Sequence, residues 1–391
     1  MSRSRLNRAG IVAFALTLAA CNSTVASPEP TRPAASALAT AAPQATAAAI
    51  ATRSPVAKPT RNPSAGYTDL KGWLVFEHFG QAPDGSTPTF DFNNRMIWMV
   101  HADGSGLHEL SPSVPAGGKS SPDISPDGRT VAFNTWSEPI QIWTEPIDGG
   151  QPTLVTTDCD GLEAHCIERE PNYSADGKKL AFARDWYEKG VSYSGIGVRD
   201  LATGQVKMLD STKTDGSSAY VTQPSVSPDG SHVVFYRVAQ TPSQDHPTGT
   251  TVVVAATDGS SAHDLPHPLG SDWASDPDWS PDGKSIVFAI VPNREGEGWD
   301  DFPGGDGIWS VAPDGTNLHV VCDMCLSTPV GRLAGMAPTW TADGRILFWG
   351  YKTWALMNAD GSDAAHINMA KLTWNGDGLG FNYAGFLQPT P

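Results

Sequence analysis

The sequence predicts an all-β protein: a six-bladed β-propeller of four-stranded antiparallel blades, closed by a C-terminal strand that completes the first blade. Three observations carry this expectation. A strand–turn–strand segment recurs along the chain, a second strand pair follows each copy, and the two ends of the repeat region complement one another. The composition agrees, since 39 Gly and 32 Pro among 391 residues favour turns over long helices.

The segment Asp276 to Phe288 (DPDWSPDGKSIVF) shows the pattern best. Trp279 ends an extended stretch, Pro281-Asp282-Gly283 supplies a turn with Gly where positive φ is needed, and Ser285 to Phe288 alternate as a strand. Copies lie at Ser121–Phe133, Glu170–Phe182, Gln223–Phe235 and Ala337–Phe348. One hairpin cannot bury its own apolar face. Behind the copies run second pairs such as Met96–Leu110, Ile140–Val155, Ile196–Leu209, Thr251–Leu265, Gly307–Val321 and Trp354–Ile367. Trp73–Phe76 matches the second strand of the other units, which brings the count of units to six. That first unit lacks a first strand, and the tail Lys371–Gly378 (KLTWNGDG) resembles one, aligning Trp374 with Trp340 and Trp279. A solenoid would need polar caps instead.

Ahead of the repeats, residues 1–20 read as an export signal: Arg3, Arg5 and Arg8, then the apolar run Ile11 to Leu18, too short to span a membrane. The ending Leu18-Ala19-Ala20-Cys21 resembles the lipobox of bacterial lipoproteins, which implies a lipidated Cys21 and a membrane as partner. Asn22 does not resemble the Asp of an inner-membrane retention signal, so cell surface and periplasm both stay open. Residues 21–65, rich in Ala, Pro, Thr and Ser, cannot assemble a core and are expected to form a tether. The propeller is assigned to 66–391. From the formal charge of −16, loss of the three leader arginines and of a tether carrying net +3 leaves −22 on the remainder. Nucleic acid is excluded as a partner, because phosphate binding draws on clustered Lys and Arg.

The x-P-x-W-S-P-D-G-x-x-[IVL]-[AVL]-F pattern, with [IV]-W-x-x-x-x-D-G behind it, resembles the WD40-like (PD40) repeat of TolB-type six-bladed propellers over roughly residues 67–378. TolB itself carries a small α/β domain ahead of its propeller, where this chain has only the tether. The resemblance implies the fold; a role in the Tol system does not follow from it.

In a four-strand meander, turns one-to-two and three-to-four share one face, and loops two-to-three and blade-to-blade share the other. The first face carries Asp-Gly turns, including Asp103-Gly104, Asp127-Gly128, Asp229-Gly230 and Asp258-Gly259, whose Asp is expected to bond nearby backbone. The second face holds the irregular loops, among them Asn134–Pro139, Arg184–Gly195, Leu269–Ser275 and Ala289–Asp306, and is the expected working face. Its candidate ligand-binding residues are Trp136, Trp186, Trp273 and Trp299 for stacking on sugars or apolar side chains, with Asp185 and Asp300 among the acidic groups. Glu170, Gln223 and Asp276, with Ser121, precede the repeat Pro and should ring the channel mouth, ready for water, a cation or an amine.

No catalytic residues and no metal ligands are assigned. Asp158-Cys159-Asp160-Gly161 and Asp300-Asp301 lack the full calcium-loop spacing, which leaves a structural calcium open and no other cofactor expected. Cys159 with Cys166 and Cys322 with Cys325 read as two local disulfides in an exported protein; the absence of a thioredoxin-like βαβ pattern argues against a redox dithiol at Cys322–Cys325. Three function classes remain: a tethered binding module for a protein, peptide or glycan, a metal-assisted polysaccharide lyase or related carbohydrate-active propeller, and a structural envelope protein. The first leads. The chain has no G-x-S-x-G elbow to support a serine peptidase.

Overall fold

The structure, a computed structural model, describes residues 67, 72–79, 95–110, 118–136, 139–156, 166–214, 220–238, 250–266, 273–291, 307–323, 326–328, 331–333, 336–350, 353–368 and 384–387. The described residues form six four-stranded antiparallel sheets and one two-stranded hairpin. Blade 1 holds β1 (Trp73–Phe79), β2 (Arg95–His101) and β3 (His108–Leu110). Blade 2 follows as β4 (Lys119–Ile124), β5 (Thr130–Thr135), β6 (Ile142–Pro146) and β7 (Thr153–Leu154). Blade 3 is β8 (Cys166–Tyr173), β9 (Lys179–Glu188), β10 (Val191–Asp200) and β11 (Val206–Lys213). Blade 4 is β12 (Tyr220–Val226), β13 (His232–Val238), β14 (Thr250–Ala256) and β15 (Ala262–Asp264). Blade 5 is β16 (Trp273–Trp279), β17 (Ile286–Val291), β18 (Gly307–Val311) and β19 (His319–Cys322). A hairpin, β20 (Leu326–Thr328) with β21 (Gly331–Leu333), precedes blade 6, which is β22 (Met336–Trp340), β23 (Arg345–Gly350), β24 (Thr353–Asn358) and β25 (Ala365–His366). Finally β26 (Ala384–Leu387) pairs with β1 and completes blade 1.

Closure by a C-terminal strand is as expected, but the strand is not the one the repeat suggested. Trp73 faces Leu387 and Phe76 faces Ala384, so the pairing segment is AGFL, and the Lys371–Gly378 segment lies outside the described residues. AGFL carries no trace of the repeat signature, because the pairing asks only for four residues of extended backbone.

Apolar side chains explain the ring. Phe76, Phe133, Phe182, Phe235, Phe288 and Phe348 hold the same place in the second strand of the six blades, and each is fully buried. Each inserts toward the preceding blade. Phe133 packs with Val75, Ile97 and Met99 of blade 1, Phe288 with Val234, Val252 and Val254 of blade 4, and Phe76 with Leu347, Trp354 and Leu356 of blade 6. One such cluster fills each of the six junctions. Each buried Phe contributes about 1.5–3 kcal/mol of transfer free energy.

The junction of blades 6 and 1 has a second latch. Tyr67 forms a parallel bridge with Ile367 beside β25, donating its N–H to the His366 carbonyl (2.8 Å) and accepting from the Asn368 N–H (2.9 Å). Its hydroxyl donates to the Asp363 carbonyl at 2.9 Å, and its ring joins the cluster around Trp354.

The turn face is built as the sequence suggests. Ser125 Oγ donates to Asp127 Oδ1 (2.7 Å), and the Arg129 N–H donates to the same oxygen (3.1 Å). Ser227 with Asp229, Ser280 with Asp282 and Thr341 with Asp343 repeat the hydroxyl-to-carboxylate bond. These donors hold the carboxyls of Asp127, Asp229 and Asp282 below their ordinary range, Asp229 at about 2.

Candidate binding site at the channel mouth and the third blade

The first strands of blades 2 to 6 carry the x-Pro-x triplet of the repeat and bend at it. Ser121, Glu170, Gln223, Asp276 and Ala337, each just before Pro, have φ of 54, 57, 52, 52 and 47°, and the pairing register slips at each triplet. Positive φ costs a non-Gly residue roughly 1–3 kcal/mol. An inter-blade hydrogen bond offsets this in four cases. Ser121 donates its N–H to Glu77 Oε2 (3.1 Å), Glu170 to Asn134 Oδ1 (2.9 Å), Gln223 to Glu170 Oε2 (2.8 Å) and Asp276 to Gln223 Oε1 (2.8 Å). In every case the acceptor belongs to the preceding blade. A second tier repeats the scheme three residues on: Tyr173 donates to Asp123 Oδ2 (2.7 Å), Val226 to Asn172 Oδ1 (2.8 Å) and Trp340 to Asp278 Oδ2 (2.7 Å).

The five triplets line a central cavity of about 100 Å³. Carboxylates dominate it. Desolvation raises Asp123 to about 7 against the bond from Tyr173, with the Asp278 charge adding to the rise, and raises Asp276 to about 6, with Glu170 and Glu77 adding. Glu77 and Asp278 are also raised, chiefly by burial. Arg95 opposes the shift at Glu77 from 3.6 Å, donates to Ser120 Oγ (3.0 Å) and lies 4.8 Å from the Trp136 ring centroid. Trp136 thus covers the guanidinium that pairs with Glu77. The backbone N–H of Trp136 donates to the Gly118 carbonyl at 2.6 Å. The expected polar ring of Ser121, Glu170, Gln223 and Asp276 exists, but Glu170 and Gln223 use their side chains to join blades. Thr222 Oγ1 also donates to Glu170 Oε2.

The third blade departs from its neighbours. The expected loop Arg184–Gly195 is a continuation of β9 and β10, each ten residues long, joined by Lys189-Gly190 at φ of 48 and 82°. Positive φ at both central residues gives a tight hairpin turn whose twist matches the strands, so pairing continues to Glu188–Val191. Asp185 and Trp186 are therefore strand residues. Trp186 stacks on Tyr193, with centroids 5.3 Å apart and planes 15° from parallel. A Cβ at Gly195 would stand 2.9 Å from Trp186 Cζ3 and 2.6 Å from the Asp210 carbonyl, so glycine lets the indole lie across the sheet. Asp185 pairs with Arg169 Nη2 at 3.0 Å, and Tyr187 stands 43% exposed.

Beneath this extension Glu168, wholly buried, accepts from Arg184 Nε (3.0 Å) and Nη2, from Arg199 Nη2 (3.0 and 3.1 Å) and from Thr156 Oγ1 (2.9 Å). Glu168 is not among the candidate residues of the sequence analysis; the structure sets it opposite Arg184 in the β8–β9 register. Trp273, expected in a loop, opens β16 opposite Val291. Cys166 opens β8 and Cys322 closes β19. Cys21, Cys159, Trp299, Asp300 and Cys325 lie outside the described residues. Among the described residues no group of three His, Cys, Asp or Glu side chains is placed to hold a metal ion, and no helix is long and apolar enough to cross a membrane.

No protein-family model matches the chain, and no curated protein matches it. Among solved structures, the hydrazine synthase of Kuenenia stuttgartiensis is similar with a TM-score of 0.51 at 15% identity, over 75% of this chain and 44% of that one. TolB from Acinetobacter baumannii gives 0.45 at 18% identity, over 76% and 64% of the two chains. A putative TolB from Agrobacterium tumefaciens gives 0.42 at 20%, over 72% and 97%. This chain thus spans less than two thirds of the Acinetobacter protein and less than half of the hydrazine synthase chain. What it shares with the hydrazine synthase at such identity is fold, and the residues themselves must carry the argument about function.

Proposed function

We propose that the chain is an exported binding module. Cys21 is its lipid anchor to a membrane of the cell envelope, residues 22–65 are its spacer, and the loop face of the propeller takes up a protein, peptide or glycan. The observation that carries the reading is the third-blade extension, where paired strands lift the Trp186–Tyr193 stack and the exposed Tyr187 beyond the length of the described strands of the other blades. Aromatic rings held by a rigid sheet present contact area at low entropic cost. Local disulfides Cys159–Cys166 and Cys322–Cys325 belong to the same proposal as clamps on the blade junctions, supported by the bonded sulfurs of Cys166 and Cys322.

The test is a glycan and peptide array probed with the full chain, with Trp186→Ala and Tyr187→Ala beside it and metal analysis on the same sample. Binding lost in both variants supports the module. Binding untouched by either places the site elsewhere. Metal-dependent cleavage of an acidic polysaccharide would replace the module with a lyase.

A further inference from the structure

Ten Asp-Gly pairs lie among the described residues, and their backbones match: each glycine has positive φ and donates its N–H to the carbonyl three residues before it, at 2.7 to 3.0 Å. Nine of the ten aspartates have a tied side chain. Asp127, Asp176, Asp282 and Asp343 accept from the hydroxyls of Ser125, Ser174, Ser280 and Thr341, two residues before them. Asp103, Asp314 and Asp360 accept from the hydroxyls of Ser105, Thr316 and Ser362, two residues after, Asp258 from the Ser260 N–H, and Asp229 from Ser227 and Ser231 together. The tenth, Asp148 in the turn between β6 and β7, accepts no hydrogen bond from any described residue.

The residues of that turn explain the difference. Pro146 stands two before Asp148 and Gly150 two after, so neither position has a hydroxyl. Gly150 lies on the Pro146 ring, where a Cβ would stand 3.2 Å from Cγ, so a serine like those of the sister turns would crowd the proline. Asp148, Gly149 and Gly150 are all exposed, and nothing lies within 4 Å of the Cβ position of Gly149. Hydrogen bonds to a carboxylate favour its ionised form and hold its rotamer. Such donors keep seven of the nine tied carboxyls below their ordinary range.

We propose that the Asp148–Gly149 bond is a self-modification site, where the chain isomerises from aspartate to isoaspartate through a succinimide. The Gly149 nitrogen attacks Cγ of the protonated Asp148 carboxyl. The N–Cγ bond forms, the Cγ–O bond breaks, and the hydroxyl leaves with the N–H proton as water. Water then adds to the ring at either carbonyl. Addition at Cγ restores aspartate, while addition at the main-chain carbon breaks its bond to the Gly149 nitrogen and leaves the backbone running through Cγ. No other reactant enters. Glycine permits the approach because it has no Cβ. At the nine sister bonds the same step must first break the hydrogen bonds of the carboxylate and protonate it. Isoaspartate lengthens the turn, and β7 is held to β6 only through Trp143–Leu154 and Thr144–Thr153, so this short edge strand is the part of blade 2 that the change loosens. The site lies on the turn face and stands whether or not the third-blade extension binds anything.

The experiment holds the full chain in mildly acidic buffer, digests it, and scores every Asp-Gly peptide by electron-transfer mass spectrometry, which separates isoaspartate from aspartate. Conversion at Asp148 is expected to exceed that at each of the nine sister residues by at least about tenfold. In denaturing urea, where those nine lose their hydrogen bonds, the ten rates should converge. Pro146→Ser returns a hydroxyl to the place that Ser125 and Ser174 hold in their turns, and should slow conversion at Asp148 in the folded protein. Asp148→Glu, whose larger ring closes far more slowly, should abolish it. Equal conversion at all ten sites of the folded protein, or an excess at Asp148 that persists unchanged in urea, overturns the proposal. So does a Pro146→Ser protein that melts like the parent and converts as fast.

Discussion

The channel wall and the third-blade extension are built by opposite rules. Along the wall, five blades repeat one device, a positive-φ residue before Pro whose N–H reaches back to the previous blade. Beyond the wall, among the described residues only blade 3 has ten-residue strands running outward, sets an indole across a glycine and buries two guanidinium groups on one carboxylate. Repetition here answers the shared problem of closing a ring.

The sharpest way to break this contrast is to remove the support of the extension. Glu168→Ala leaves Arg184 and Arg199 buried without their carboxylate, and should cost about 3–5 kcal/mol in urea unfolding. On the wall, Glu170→Ala deletes the acceptor of the Gln223 N–H and the Thr222 hydroxyl, and should cost about 1–3 kcal/mol. If Glu170→Ala proved neutral while ligand binding vanished, Glu170 would be a site residue and not a blade clamp.

Much of the wall could be read from sequence, because its cause is local. The Pro triplet, the Asp-Gly turn and the Phe recur at fixed spacing, and the positions of Ser121, Glu170, Gln223 and Asp276 around the channel follow from them. What the side chains do there was harder to see: Glu170 and Gln223 bond to residues 53 positions further along the chain, a distance no local pattern encodes. The third blade misled because Lys189-Gly190 is a two-residue turn without the usual Asn or Asp, so strand residues Arg184 to Gly195 read as loop. The closing strand misled because four residues of extended backbone need no signature.

The same contrast sharpens through pH. Asp123 at about 7 and Asp276 at about 6 lie above the ordinary value of 3.8, so the folded state holds protons that the unfolded state has released. Their stabilising effect is full below the unfolded value and is lost as pH rises through about 6 to 7. The turn aspartates act in reverse: Asp229, held at about 2, stabilises above its unfolded value and loses this as pH falls toward 2. Thermal stability should therefore decline from pH 5 to pH 8, which melting curves would show, and Asp123→Asn should flatten the decline. A decline unchanged in that variant would detach the effect from the channel. The smallest stability effect is expected at Tyr187→Ala, within about 0.5 kcal/mol, since the ring is exposed.

The central claim, that the departure from the repeat is the working part, is tested most directly by one comparison on the full chain. Affinity for a ligand identified on the array is measured for Tyr187→Ala and for Lys178→Ala, an exposed change on the turn face of the same blade. The account expects Tyr187→Ala to weaken binding by at least about tenfold, near 1.4 kcal/mol, and Lys178→Ala to leave it unchanged. Loss at Lys178 with binding intact at Tyr187 would contradict it.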